Sequence, residues 1–136
     1  MNESKKILLI DDDPDDQFFF RDAIQTIGPD LHCELASVWQ EALNKLIVPP
    51  KPDFIFIDLN MPMMNGFDCL AYLKNQNRYM DIPVIIYTTS KNLNDISRTR
   101  QLGAKWYMTK PDDFNVLCEK LTRIIHSDSV NGMYII

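Results

Sequence analysis

The chain has 136 residues, the usual size of one compact domain and too short for two full ones. Its 46% hydrophobic and 24% charged residues are typical of a globular protein and exclude a disordered chain. With 14 basic against 19 acidic residues, the net charge of −5 argues against binding to a nucleic-acid backbone. No apolar stretch approaches the roughly 20 residues of a membrane helix, so no membrane association is expected.

The N-terminus and the cysteines indicate a cytoplasmic protein. The apolar run at residues 7–10 is short, whereas a secretion signal needs about 7–15 apolar residues. Cys33, Cys69 and Cys118 are odd in number and widely spaced, with no CxxC pair. We therefore expect reduced thiols and a cytoplasmic location.

Short apolar runs alternate with longer amphipathic stretches along the chain. The amphipathic stretches carry helix caps, such as Asp13 and Ser37, and stop signals, such as Gly28-Pro29. In the first half we predict a strand at Lys6–Ile10, a helix at Pro14–Ile27, a strand at Leu31–Ala36, a helix from Ser37 to about Ile47 and a strand at Phe54–Ile57. In the second half we predict a helix from Asn65-Gly66 to about Asn77, a strand at Ile82–Thr88, a helix at Leu93–Leu102, a strand at Lys105–Thr109 and a last helix around Phe114–Ile125.

Five strands that alternate with helices predict an α/β fold, with a five-stranded parallel sheet that is doubly wound as (βα)5. The continuous apolar runs fit strands that are covered on both faces. We expect one domain at residues 5–126 and a tail at residues 127–136. The tail ends in Met-Tyr-Ile-Ile and is expected to be packed or disordered, with a dimer or partner contact as the alternative.

Polar side chains follow four of the predicted strands, at the edge where an open parallel sheet binds its ligands. Asp11 and Asp12 follow the first strand, Asp58 the third, Thr88 ends the fourth, and Lys110 follows the fifth. Three carboxylates and one ammonium would leave a charge that a divalent cation neutralises. Oxygen ligands without His or Cys favour Mg²⁺, with Mn²⁺ or Ca²⁺ as alternatives.

Four motifs lie at these strand ends. Each motif alone is a weak indication of a family, but the four in this order are a strong one. They read Ile-Asp-Asp-Asp at 10–13, Ile-Asp-Leu-Asn-Met-Pro at 57–62, Ile-Tyr-Thr-Thr-Ser at 86–90 and Tyr-Met-Thr-Lys-Pro at 107–111. In these motifs the sequence resembles the receiver domain of two-component response regulators, in its single-domain form. The resemblance spans roughly residues 5–126 and implies the flavodoxin-like receiver fold.

The resemblance also implies a role for each motif residue. Asp58 would be the phosphoacceptor that attacks a phosphohistidine. Asp12, Asp58 and the backbone carbonyl of Asn60 would hold Mg²⁺ directly and Asp11 mainly through water, with Mn²⁺ as a substitute. Lys110 and Thr88 would contact phosphoryl oxygens, and Tyr107 would be the aromatic residue of the switch. The bond between Lys110 and Pro111 would be cis.

The implied function is a stand-alone phosphoacceptor, which catalyses only its own phosphorylation and dephosphorylation. The implied donor is a histidine kinase or a histidine phosphotransfer protein. Because the sequence ends about ten residues after the last helix, output is expected through contact with an unknown protein target, without direct binding to nucleic acid. A homodimer is left open, and so is an intermediate phosphoryl carrier in a multistep phosphorelay.

The same residues also bear on three other classes of protein. A haloacid-dehalogenase-type phosphatase needs Asp-x-Asp after its first strand and cap elements, whereas here the nucleophile candidate follows the third strand. A flavin carrier of similar architecture needs Ser/Thr and Gly after the first strand, where the three aspartates at 11–13 would repel a phosphate. A degenerate receiver is disfavoured, because every motif residue is retained.

Overall fold

A computed structural model describes residues 5–61, 65–127 and 132–136 of the chain. Pro62 of the second motif and residues 128–131 of the tail lie outside the described residues. The strands are β1 (Lys6–Ile10), β2 (His32–Ala36), β3 (Phe54–Ile57), β4 (Val84–Thr88), β5 (Trp106–Thr109) and β6 (Tyr134–Ile135). The helices are α1 (Pro14–Ile27), α2 (Trp39–Leu46), α3 (Gly66–Lys74), α4 (Leu93–Gln101) and α5 (Phe114–His126).

All strands pair in parallel in one sheet, in the order β2-β1-β3-β4-β5-β6. After β1 the chain places β2 on one side, and it then crosses back to place β3 on the other side. The strand order therefore reverses between β1 and β3, and this is the point where open α/β sheets bind ligands. The doubly wound parallel fold is confirmed, and the sixth strand is the one addition to the expected five.

The sheet separates two hydrophobic cores. Alternate residues of β1 point to opposite faces, so that Ile7 and Leu9 join the core under α1 and α5, while Leu8 and Ile10 join the core under α2 and α3. All four side chains are fully buried. Burial on both faces explains why the strands read as continuous apolar runs rather than as alternating patterns.

The end of the tail pairs with the edge of β5. The Tyr134 amide donates to the Lys105 carbonyl at 2.9 Å, and the Ile136 amide donates to the Tyr107 carbonyl at 3.0 Å. The ring of Tyr134 lies 5.0 Å from the ring of Trp106, centroid to centroid, and Trp106 is only 7% exposed. The tail is therefore packed from Met133 onward, which is one of the outcomes expected for it.

Helix capping differs from the prediction at one place. Asp13 caps α1 by accepting hydrogen bonds from the amides of Asp15 and Asp16, as expected. Ser37 does not cap α2, because this helix begins at Trp39 and its N-cap position is Val38, which makes no side-chain cap. The Ser37 hydroxyl is instead taken by the Gln17 amide at 2.9 Å. The predicted cap is wrong because a contact from another element competes for it.

The three cysteines, Cys33, Cys69 and Cys118, are free thiols. Burial raises the pKa of Cys33 and of Cys69 to about 12, so neither forms a reactive thiolate near neutral pH. Within the described ranges, the helices are all too short or too polar to cross a membrane.

Candidate functional site

Backbone hydrogen bonds carry the sheet ladder one residue past the strand ends and so position the candidate site. The Asp58 amide donates to the carbonyl of Ile10 at 3.0 Å, and the Lys110 amide donates to the carbonyl of Thr88 at 2.8 Å. Asp11, Asp58 and Lys110 are therefore held by the ends of β1, β3 and β5 rather than by independent loops. Their side chains meet at one edge of the sheet, as the sequence predicts.

The Lys110 ammonium is the centre of this cluster. Its Nζ lies 2.8 Å from an oxygen of Asp11, 2.7 Å from an oxygen of Asp16 and 3.2 Å from an oxygen of Asp58. The Lys110 side chain is 8% exposed, and its ammonium also lies 5.2 Å from the ring centroid of Tyr87. An ammonium has three protons to donate, so three carboxylates use its full capacity.

Three carboxylates are close enough to share a cation. Oxygens of Asp11, Asp12 and Asp58 all lie within 4.8 Å of one another. Asp11 has no exposed surface, Asp58 is buried and Asp12 is half-buried. The donor set contains oxygen only, which is what the hard cations Mg²⁺ and Mn²⁺ prefer. The residues present therefore fit a divalent metal ion.

Burial and hydrogen bonding act in opposite directions on the charges of the site. Burial raises the pKa of Asp11 to about 6, although hydrogen bonds from Lys110 and from the Asp13 amide oppose this rise. Burial alone would lower the pKa of Lys110, but its hydrogen bonds to Asp11 and Asp16 raise that pKa overall. Lys110 therefore stays fully charged at neutral pH.

Asp16 is the site residue that sequence reasoning missed. With Asp11, Asp12 and Asp58 it brings four carboxylates to one ammonium, a formal charge of −3 that a divalent cation reduces to −1. The neutrality that the sequence predicts is therefore wrong, because that prediction includes three carboxylates and Asp16 is a fourth. The available signal was position: Asp16 is three residues after the Asp13 N-cap, and so lies in the first turn of α1 beside the site.

The carboxylates open into a cavity of about 500 Å³ at the edge of the sheet. Four residues of the predicted site line it, namely Asp12, Asp58, Asn60 and Lys110. The remaining lining comes from the start of α1 and from the residue after β4: Asp13, Pro14, Asp16 and Thr89.

Thr88 and Tyr107 lie behind the cavity and are connected through Ser90. The fully buried Thr88 hydroxyl accepts from the side-chain amide of Asn60 and from the Ser90 amide, both at 3.4 Å. The buried Tyr107 hydroxyl donates to the Ser90 carbonyl at 2.9 Å. Asn60 also donates its backbone amide to Asp58 at 3.2 Å. Hydrogen bonds therefore lead from Asp58 to Tyr107.

The bond between Lys110 and Pro111 differs from the expectation. Among the described residues the cis peptide bond is Pro49–Pro50, and Lys110–Pro111 is trans. The trans isomer is the more stable form of most X–Pro bonds by about 0.5–1 kcal/mol, and here the Lys110 ammonium reaches all three carboxylates with the bond in that form.

Comparison with known sequences identifies the family. The sequence model of the response regulator receiver domain matches residues 7–122, and the chain belongs to this family. Chemotaxis protein CheY1 of Helicobacter pylori strain J99 is 29% identical over 120 residues, which cover 88% of this chain and 96% of that protein. Response regulator Rcp1 of Synechocystis is 30% identical over 115 residues, 80% of this chain and 78% of that protein.

Some relatives are longer than this chain. The probable C4-dicarboxylate response regulator DctR of Bacillus subtilis is 34% identical over 106 residues, which cover 78% of this chain but 46% of DctR. The regulator RpaA of Synechocystis is matched over 48% of its length. The chain thus spans about half the length of these two relatives.

Solved structures confirm the receiver fold. The crystal structure of the phosphorylated cyanobacterial phytochrome response regulator RcpA has a TM-score of 0.85 at 24% identity, covering 96% of this chain and all of that one. The Mn²⁺-bound form of Rcp1 has a TM-score of 0.81 at 24% identity, covering 94% and 99%. The chemotaxis response regulator CheY4 of Vibrio cholerae has a TM-score of 0.78 at 26% identity, covering 90% and 99%.

Proposed function

We propose that this protein is a phosphoacceptor of two-component signalling. Asp58 takes a phosphoryl group from the phosphohistidine of a histidine kinase or of a histidine phosphotransfer protein. The observation that carries the proposal is the Lys110 ammonium, 3.2 Å from Asp58 in a cluster that also contains Asp11 and Asp12 and that lines a cavity. Membership of the receiver family supports the same reaction.

The transfer needs a nucleophile and a group that accepts negative charge. A carboxylate oxygen of Asp58 attacks phosphorus, forming a P–O bond as the P–N bond breaks, and the bonding pair stays on the histidine nitrogen. The Lys110 ammonium donates to a phosphoryl oxygen as charge develops, and the Thr88 hydroxyl donates to another. The protein thereby catalyses only its own phosphorylation by the donor and, with water as the later nucleophile, its own dephosphorylation.

The proposed metal ion is Mg²⁺, with Mn²⁺ as a substitute. Its proposed direct ligands are the carboxylates of Asp12 and Asp58 and the backbone carbonyl of Asn60, and Asp11 would hold the ion mainly through water. When bound, the ion supplies charge neutralisation at the phosphoryl oxygens. The oxygen-only cluster supports this assignment, and the Mn²⁺-bound structure of the related Rcp1 is consistent with it.

The proposed output is a phosphorylation-dependent protein contact. A phosphoryl group replaces the single charge of the Asp58 carboxylate with about −1.5 to −2 charges, adds acceptor oxygens and draws the Thr88 hydroxyl toward them. Thr88 and Tyr107 are coupled through Ser90, so a shift of Thr88 changes what holds the Tyr107 ring. We assign this output to the domain at residues 5–126, in the cytoplasm, with a downstream protein or a second copy as partner. The comparisons do not favour the phosphorelay alternative.

Acetyl phosphate tests the acceptor directly. In the presence of Mg²⁺, the wild-type protein should gain the mass of one phosphoryl group, and removal of the metal with EDTA should abolish the gain. Asp58→Asn should not be labelled. Asp15→Asn is the matched control, because Asp15 is an exposed carboxylate in the first turn of α1 and makes no contact with Lys110. This control should be labelled like the wild type.

Peptide mapping of the labelled protein provides the decisive check. If Asp58→Asn is labelled as fast as the wild type, or if the label maps to another residue, the acceptor assignment is wrong. Far-UV circular dichroism of Asp58→Asn separates a lost acceptor from a lost fold.

A further inference from the structure

The Lys110 ammonium has no proton to spare for a new ligand. Asp11, Asp16 and Asp58 hold its three protons at 2.8, 2.7 and 3.2 Å. A phosphoryl group on Asp58 places new anionic oxygens at this nitrogen. At least one of the present contacts must then weaken or break. Under the proposed function, a phosphoryl oxygen on Asp58 takes its place.

Burial decides which carboxylate can leave. Asp11 has no exposed surface, so water cannot take the place of Lys110 around its oxygens. The Asp16 side chain is 35% exposed, so water can replace Lys110 around its oxygens. The Asp58 side chain is only 8% exposed, so the contact with Asp16, although the shortest of the three, is the one that costs least to break.

Charge also acts against the contact of Asp16 with Lys110 in the phosphorylated protein. Asp16 lines the same cavity as Asp58, which is where phosphoryl oxygens would lie. An anionic phosphoryl group and the Asp16 carboxylate would share one ammonium at contact distance, and two like charges at this separation repel each other. Rotation of Asp16 toward solvent removes this repulsion.

We propose that Asp16 is a positioning residue that holds Lys110 in the unphosphorylated protein and releases it when Asp58 is phosphorylated. This inference rests on the proposed function. The contact exists before the reaction and not after it, so it stabilises the unphosphorylated state selectively. Asp16 thereby slows phosphorylation and sets how readily the site is labelled.

Two substitutions in the same helical turn separate this contact from general electrostatics. Asp16→Asn keeps the size of the side chain but removes its charge, and we expect phosphorylation by acetyl phosphate with Mg²⁺ to become about three to ten times faster. Asp15→Asn makes the same change of charge at the neighbouring position, without a contact to Lys110, and its rate should stay within about twofold of the wild type. Asp16→Glu keeps the charge on a side chain one methylene longer, and its rate should be lower than that of Asp16→Asn.

A second measurement follows the contact without metal or phosphate. In metal-free protein, NMR reports how fast the ammonium protons of Lys110 exchange with water. Exchange should be faster in Asp16→Asn than in the wild type and unchanged in Asp15→Asn, because only the first substitution frees a proton of the ammonium.

The two measurements together decide the proposal. Equal phosphorylation rates in the two Asn variants would overturn it, as would a slower rate in Asp16→Asn, which would make Asp16 a requirement of the reaction. Unchanged ammonium exchange in Asp16→Asn would also overturn it, since the contact itself would then be absent. If neither the wild type nor any variant is phosphorylated, the proposed function is wrong. The release of Lys110 by Asp16 is then wrong as well, even if the ammonium protons exchange faster in Asp16→Asn.

Discussion

Replacing Gly66 with alanine should destabilise the protein, although a Gly→Ala change at a helix start is ordinarily neutral or favourable. Gly66 is the first residue of α3, and its amide donates to the Leu59 carbonyl at 3.2 Å. A Cβ atom at this position would lie 2.6 Å from the Asp58 carbonyl oxygen and 2.8 Å from the Leu59 Cα. Both atoms belong to the backbone, so no rotamer change relieves the overlap.

The magnitude follows from two opposing contributions. Overpacking in a well-packed region costs about 1–3 kcal/mol, and a rigid backbone neighbour places this site in the upper part of that range. The lower chain entropy of alanine in the unfolded state returns about 0.4–1 kcal/mol. We expect a net loss of about 2 kcal/mol in the free energy of unfolding, which lowers the Tm of a domain of this size by about 6–8 °C.

Urea denaturation measures this loss, and phosphorylation by acetyl phosphate provides a second readout. Because the overlap displaces the backbone of Asp58, labelling should slow by about tenfold or more in protein that is still folded. Gly28→Ala is the control: there the added Cβ meets only side-chain carbons of Leu31, at 3.0 Å, and a flexible side chain can move. That variant should stay within about 1 kcal/mol of the wild type. A Gly66→Ala protein as stable as the wild type would refute the reasoning.

Two further predictions concern the ion pair between β1 and β2 and the tail that pairs with β5. Burial alone would raise the pKa of Glu34, but the Lys6 ammonium at 2.8 Å lowers this pKa overall. The ion pair therefore stabilises the folded protein above about pH 4.5, and this stabilisation is lost as the pH falls through the lower pKa that Glu34 has in the folded state. Acid denaturation of Glu34→Gln should therefore show a weaker loss of stability in that range, and an identical acid curve would contradict the pairing. Deletion of Gly132–Ile136 exposes Trp106 to water. In a Trp39→Phe background, where Trp106 is the remaining tryptophan, the emission maximum should shift to longer wavelength and the Tm should fall. An unchanged spectrum would contradict the packing of the tail against Trp106.

The sheet and most of the site could be predicted because both follow from local patterns. Apolar runs such as residues 54–57 locate buried strands, and the residue after each strand lies at the same edge of a parallel sheet. The convergence of Asp11, Asp58 and Lys110 needs only these two facts. The receiver motifs add the expected roles of these residues.

The features that were missed depend on contacts between elements. A helical pattern places Asp16 in the first turn of α1, but its reach to Lys110 depends on how that helix sits above the sheet. The two residues of β6 are too few to show a periodicity, and they form a strand only because β5 offers an open edge. The hydroxyl of Ser37 is available for capping until Gln17 takes it.

The position of β6 has a practical consequence for experiments. Any polypeptide joined after Ile136 would leave the protein from the strand that lies against Tyr107. A carboxyl-terminal tag or fluorescent reporter would then disturb the edge of the sheet next to Tyr107, the residue proposed to respond to phosphorylation. Fusions made at the amino terminus, where the chain enters β1 at the end of the sheet remote from Asp58, leave that margin undisturbed.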